Sequence, residues 1–134
     1  MLNKIILQGR LVAAPESRNT QTGKQVAQFR IASERSRTDA NGQRQVDFLT
    51  CIAWQKTGEF ICKWFGKGDM ILVTGRMESR SYTDKAGQNR TAYEVMVETA
   101  DFCGKSGQNG QSGQNSAPQT ESFTPVADDE DLPF

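Results

Sequence analysis

Gln45-Val46-Asp47-Phe48-Leu49-Thr50-Cys51-Ile52-Ala53-Trp54 leads directly into Gln55-Lys56-Thr57-Gly58-Glu59-Phe60-Ile61-Cys62-Lys63-Trp64-Phe65, and the period of the apolar residues changes at the join. The first run alternates. Phe48, Thr50, Ile52 and Trp54 fall on one face of a strand, and Leu49, Cys51 and Ala53 fall on the other. In the second run Phe60, Ile61, Trp64 and Phe65 recur at helical spacing. Thr57 suits an N-cap and Gly66 a C-cap, which predicts a helix over residues 57–65. Lys67-Gly68-Asp69 then turns the chain.

Both flanks of this segment read as strands. Upstream, residues 3–13 are apolar and β-branched at their start, with Gly9 marking a bend and Pro15 ending the run. After a turn at Gln21-Thr22-Gly23-Lys24, residues 25–35 carry Val26, Ala27, Phe29 and Ile31 in a strand pattern. Asn41-Gly42 is a turn signal before the third strand, residues 45–54. Downstream come a long fourth strand, 70–82, a hairpin turn at Asp84-Lys85-Ala86-Gly87, and a fifth strand, 91–101. The order β-β-β-α-β-β predicts an all-β fold, a five-stranded OB-fold barrel with one helix between strands 3 and 4. Such barrels bind oligonucleotides on one face.

The neutral total, 16 basic against 16 acidic residues, hides a division. Residues 1–103 hold 15 Lys and Arg against 11 Asp and Glu, a net of +4. Residues 104–134 hold one Lys against five acids, a net of −4. This asymmetry points to a nucleic-acid or membrane partner for the body and an interaction role for the tail. Residues 1–103 make one domain with a modest core. Residues 104–127 are rich in Gly, Ser, Gln and Asn and read as a flexible linker, spanning roughly 25–30 Å on average. At 128–134, Asp128, Asp129, Glu130 and Asp131 run into Leu132, Pro133 and Phe134. Exposing those apolar side chains to water costs free energy, so the tip predicts a protein partner that buries them.

Several classes of function find no support. The chain has no histidine, which removes imidazole bases and histidine triads. Asp47, Asp69, Asp84 and Asp101 stand on different elements, so no carboxylate pair is set up for hydrolysis. Gly66-Lys67-Gly68 lacks a P-loop context, and Gly107, Gly110 and Gly113 belong to the low-complexity linker. Three cysteines without C-x-x-C spacing argue against disulfides and zinc and for a reducing cytosol. Asp128 to Asp131 make a poor metal site without fixed geometry. No apolar stretch approaches the ~20 residues of a membrane span, and the start is too short for a signal peptide. The expectation is a non-enzymatic protein with no catalytic residue, no cofactor, no metal and no membrane.

Aromatic and basic residues interleave on the strands. Phe48 and Trp54 share one face, and Arg76, Arg80 and Tyr82 share another. Arg30, Arg35, Arg37 and Arg44 surround the loop between the second and third strands, opposed only by Glu34 and Asp39. Bases stack on aromatic faces for about 1–3 kcal/mol each without reading sequence. Arginines follow phosphates and make affinity salt-dependent. Alternation alone leaves open whether the Phe48/Trp54 face is core or surface, and each arginine equally suits a solvated face.

These motifs resemble the bacterial single-stranded DNA-binding protein family along essentially the whole chain. Asn3-Lys4-Ile5-Ile6-Leu7-Gln8-Gly9-Arg10-Leu11 resembles the family's opening strand. Lys67-Gly68-Asp69 followed by Ile71, Val73, Gly75 and Arg76 resembles its later K-G-x strand, and Tyr82-Thr83-Asp84-Lys85-Ala86-Gly87-Gln88 its aromatic hairpin. The linker and the acidic tip ending Leu132-Pro133-Phe134 complete the likeness. The resemblance implies a homotetramer that coats single-stranded DNA. It also implies a tip that docks on replication, recombination and repair proteins, in the cytoplasm at the nucleoid and replication fork. By position it assigns stacking to Phe48, Trp54 and Tyr82, beside the candidate phosphate contacts Arg30, Arg35, Arg37, Arg76 and Arg80. Two departures stand out. Glu34-Arg35-Ser36-Arg37-Thr38-Asp39 carries arginines where the family often has a stacking tryptophan, which favours a more electrostatic contact there. Phe48-Leu49 stands where the family often has Trp-His, which removes any subunit contact through that histidine. An RNA-binding OB module, an OB-fold nuclease and a scaffold for protein contacts are the alternatives.

Overall fold

The computed structural model describes residues 1–104; the rest of the expected linker and the tip expected at 128–134 lie outside the described residues. Along the chain run β1 (Ile5–Leu11), β2 (Glu16–Asn19), β3 (Gln25–Thr38), β4 (Arg44–Trp54), α1 (Gln55–Trp64), β5 (Met70–Thr83) and β6 (Asn89–Phe102). The strands form one sheet in the order β1-β5-β6-β4-β3-β2, and a further pairing of β1 with β3 closes it into a barrel. Neighbours are antiparallel except β4 and β6, which run parallel through Cys51–Val95, Ile52–Met96 and Ala53–Val97. The expected OB-type barrel with a single helix is present. Its five strands are β1, β3, β4, β5 and β6, and the helix follows β4.

β2 is an addition. Glu16, Ser17, Arg18 and Asn19 are all exposed and show no apolar alternation, so nothing in their pattern marks a strand. Backbone pairing to Gln25–Gln28 makes them one, at the edge of the sheet. The helix also differs from its expected bounds. It begins at Gln55, with Trp54 in the N-cap position and no side-chain cap, so Thr57 lies inside the first turn. It ends at Trp64, and the N–H of Phe65, in the C-cap position, donates to the Ile61 carbonyl at 3.0 Å. Gly66 lies one residue later, and its N–H donates to Asp69 Oδ2 at 2.8 Å.

Two glycines let the barrel close. A Cβ at Gly9 would stand 2.3 Å from the Ala32 carbonyl oxygen, beside the pairs Arg10–Ala32 and Leu11–Ile31 that join β1 to β3. A Cβ at Gly75 would stand 2.0 Å from the Met96 carbonyl oxygen, where the β5–β6 register shifts. Backbones this close tolerate no side chain, and the shift adds the local bend and twist that closure demands.

The interior is apolar. Leu7, Leu11, Ala27, Phe29, Ile31, Cys51, Ala53, Ile71, Val73, Val95 and Val97 fill the barrel, with Ile61 and Phe65 entering from the helix and its end. Burying a large aliphatic or phenyl side chain contributes about 1.5–3 kcal/mol, so these positions carry most of the fold's favourable energy. Cys51 is a core residue, and burial pushes its thiol up to about 12. Cys62 is only half-buried. At one end of the barrel Phe65 stacks on Phe102 with centroids 4.8 Å apart, and Phe60 meets both edge-on. No helix among the described residues is long and apolar enough to cross a membrane.

Candidate nucleic-acid interface

Strand parity and register bring most of the expected residues onto one outer face. In β4 the even-numbered residues point outward: Phe48 and Trp54 are 53% and 40% exposed, which decides against a core role. Ile52, between them, is buried, with Gln28 and Met96 as its cross-strand neighbours. Arg30 stands on the same face of β3, and its guanidinium lies 5.3 Å over the Phe48 ring. On β5, Arg76, Arg80 and Tyr82 share that face, opposite Met96, Ala92 and Arg90 of β6. Arg80 lies 5.5 Å from the Tyr82 ring centroid. The face therefore runs without a break from Arg30 and Phe48 across β4 and β6 to Arg80 and Tyr82.

Trp54 is the centre of this face. Its indole N–H donates to the Met96 sulfur at 3.1 Å, so one edge is held by a polarizable neighbour. Trp54 lines a groove of about 450 Å³ with Arg18, Thr20, Val26, Ile52, Arg80, Glu94 and Met96. It also lines a second hollow, about 360 Å³, with Thr20, Thr22, Lys24 and Gln55. An exposed indole bordered by open hollows is the geometry a stacking platform needs.

Arginine pairing divides the expected cations. Arg80 gives Nε and Nη2 to the same oxygen of Glu94, at 3.1 and 3.0 Å, and this contact holds its pKa above the ordinary value. Arg76 reaches Glu78 at 3.5 Å and Glu98 at 3.7 Å. Lys4 also pairs with Glu98, and that hydrogen bond, followed by the Lys4 and Arg76 charges, holds the Glu98 carboxyl below its ordinary range. Arg30 and Arg37 form no ion pair among the described residues.

Arg35 lies away from the others. Five residues from Arg30, it has the opposite parity and shares the side of Asp47 and Gln45. Its Nε and Nη2 grip Asp47 at 2.9 and 2.8 Å, and Nη1 donates to Gln45 Oε1 at 2.9 Å. The hydrogen bond from Arg35 lowers the Asp47 pKa below its ordinary value. Arg37 sits where the β3–β4 register slips, between Glu34 and Thr38.

Sequence reasoning missed five contributors to the groove: Arg18, Thr20, Val26, Glu94 and Met96. Glu94 and Met96 alternate with buried Val95 and Val97, so parity on the last strand was an available signal. Arg18 had none, because its strand has no pattern. Stacking surfaces and cations placed along one face suit a flexible polyanion with exposed bases. They offer no fixed donor and acceptor set of the kind that reads base identity in a duplex groove.

The Single-strand binding protein family matches residues 2–103 of the chain. The chain is 37% identical over 115 residues to a protein of Halalkalibacterium halodurans named "Single-stranded DNA-binding protein", covering 86% of this chain and 68% of that one. It is 36% identical over 129 residues to the "Single-stranded DNA-binding protein 1" of Lactococcus lactis subsp. lactis, covering 96% and 85% of the two chains. Against a Staphylococcus aureus protein of the same name the identity is 41% over 102 residues, 76% of this chain and 65% of its relative.

Proposed function

The chain belongs to the Single-strand binding protein family, and from that membership we propose that it coats single-stranded DNA without sequence preference. The observation that carries this reading is the continuous outer face on which Phe48, Trp54 and Tyr82 stand exposed beside arginines. Bases stack on the three rings, while Arg30 and Arg37 follow the phosphates. Arg80 supports the Tyr82 platform, and Arg76 completes the cationic border by exchanging a carboxylate for a phosphate. Arg35 reaches the backbone only by leaving Asp47.

The protein acts by binding and performs no chemistry of its own. Residues 1–103 are the DNA-binding domain, 104–127 the linker and 128–134 the protein-binding tip. The tip's support is its sequence: Leu132, Pro133 and Phe134 enter an apolar pocket on replication, recombination or repair proteins, and Asp128 to Asp131 meet a basic rim that speeds encounter. Self-association into a tetramer fits the family and the exposed Ile6 on β1. The place of action is the cytoplasm, at the nucleoid and the replication fork.

The test is a salt-dependent titration with oligo-dT of varied length, alongside matched RNA and duplex DNA and with native mass measurement. Tight, salt-sensitive binding of oligo-dT with weaker duplex binding is expected. Equal affinity for duplex and single strand would overturn the reading. Preference for the RNA oligomer would move it to an RNA-binding module.

A further inference from the structure

The outer face is electrically lopsided. On the β5–β6 side the arginines are matched: Arg80 with Glu94, and Arg76 with Glu78 and Glu98. On the β2–β3 side, Arg18 and Arg30 have no ion pair among the described residues. Arg18 shares the outward side of β2 because it pairs with Val26, whose parity is that of Arg30. Glu94 is the unusual member. It lies directly across from Glu78, a like-charge pairing that destabilises a sheet unless each carboxylate is drawn elsewhere. Its side chain is only 14% exposed, and it lines the groove beside Trp54 and Met96. A sheltered carboxylate on the floor of a groove meant for a polyanion needs a reason.

A strand entering with phosphates inward would press its anions against Glu94. Entering with bases inward, it meets Trp54, the Met96 thioether and a carboxylate able to accept from base N–H groups, the thymine imide included. Resting on the reading of this groove as the single-strand site, we propose that Glu94 is a positioning residue that sets which side of the strand faces the floor. It neutralises Arg80, turns phosphates away from the β5–β6 flank and leaves them to Arg18 and Arg30. Arg80 is then a neutralised support under Tyr82 rather than a phosphate anchor.

The experiment compares oligo-dT with an abasic oligomer of equal length, which keeps the phosphates and lacks the bases, on the full chain. The unmodified protein should strongly prefer oligo-dT. Glu94→Gln should tighten abasic binding about fivefold, the size of one unit-charge interaction at ~4 Å in water. It should also steepen the salt dependence of that binding by roughly 0.7 in log–log slope, one added phosphate contact. Oligo-dT affinity should change less. Arg80→Gln/Glu94→Gln should return the abasic affinity to its starting value. An unchanged ratio of the two affinities in Glu94→Gln overturns the proposal, as does a gain that persists in the double variant. Glu94→Thr, a residue suited to a strand, gives the same test if the amide disturbs folding. Failure of the unmodified protein to bind oligo-dT would instead sink the reading of the groove itself.

Discussion

Gln55 holds its backbone at φ 50°, in the left-handed region, directly after Trp54. For a residue with a side chain this conformation costs about 1–2 kcal/mol. The cost is local and its benefit is geometric: the chain passes from strand to helix in one residue while Trp54 keeps extended backbone, φ −95° and ψ 145°. Gln55→Gly should therefore stabilise the protein by about 1 kcal/mol, raising Tm by roughly 4–8 °C in a thermal melt; a lower Tm would contradict the strain argument. Trp54→Ala should weaken oligo-dT binding by about 1–3 kcal/mol with the fold intact by circular dichroism. Unchanged affinity in that folded variant would remove Trp54 from the site. Parity made the Phe48–Trp54 pairing legible in advance, but not its direction, because an outward aromatic and an inward one alternate identically. The same parity separates Arg30 from Arg35, a distinction lost when the arginines are read as one loop cluster.

The two long hairpins end in the same turn. Asp39 Oδ1 accepts from the N–H groups of Asn41 and Gln43, both at 2.9 Å. Asp84 Oδ1 accepts from those of Ala86 and Gln88, at 3.0 and 2.9 Å. Gly42 and Gly87 each follow three residues after their Asp with φ 78°. Such turns are readable from sequence because aspartate and glycine satisfy them locally. Asp84 also pairs with Arg90 at 2.7 Å, and this contact, with the Gln88 and Ala86 amides, holds its carboxyl below the ordinary 3.8. A depressed folded pKa means the contribution is present above about pH 4 and lost as pH falls through the lower folded value. Asp84→Asn should thus be less stable near neutrality yet lose less Tm between pH 5 and pH 3; parallel loss in both proteins would show that the turn does not titrate in that window. One strand and one helix boundary lacked such local chemistry and were not legible in advance. β2 exists only because β3 offers it a backbone edge, and α1 starts at Gln55 through tertiary packing rather than a capping side chain.

At the scale of the molecule, residues 1–103 carry a net of +4 and residues 104–134 a net of −4, and the function proposed above assigns DNA to the first and protein partners to the second. Deleting Phe134 should abolish capture of tip-binding enzymes and leave oligo-dT affinity unchanged, as read by pull-down and titration; equal capture without Phe134 would refute the tip's role. Charge division and element order were open to sequence reading because each sums over many residues. The groove was not, since Trp54 meets Met96 only through the parallel pairing of β4 with β6, 42 positions apart. That pairing has a further consequence. β3–β4 and β5–β6 are each joined along most of their length by neighbours close in sequence, whereas the barrel is completed by pairings distant in sequence: Ile5–Arg10 against β5, Arg10–Leu11 against β3 and Cys51–Ala53 against β6. Hairpins form in about 1–10 μs, but contacts distant in sequence must first overcome loop-closure entropy. Folding should therefore run as two fast zippering events, the second of them including Gly75, followed by a slow docking step, with Gly9 lying at a late-forming joint.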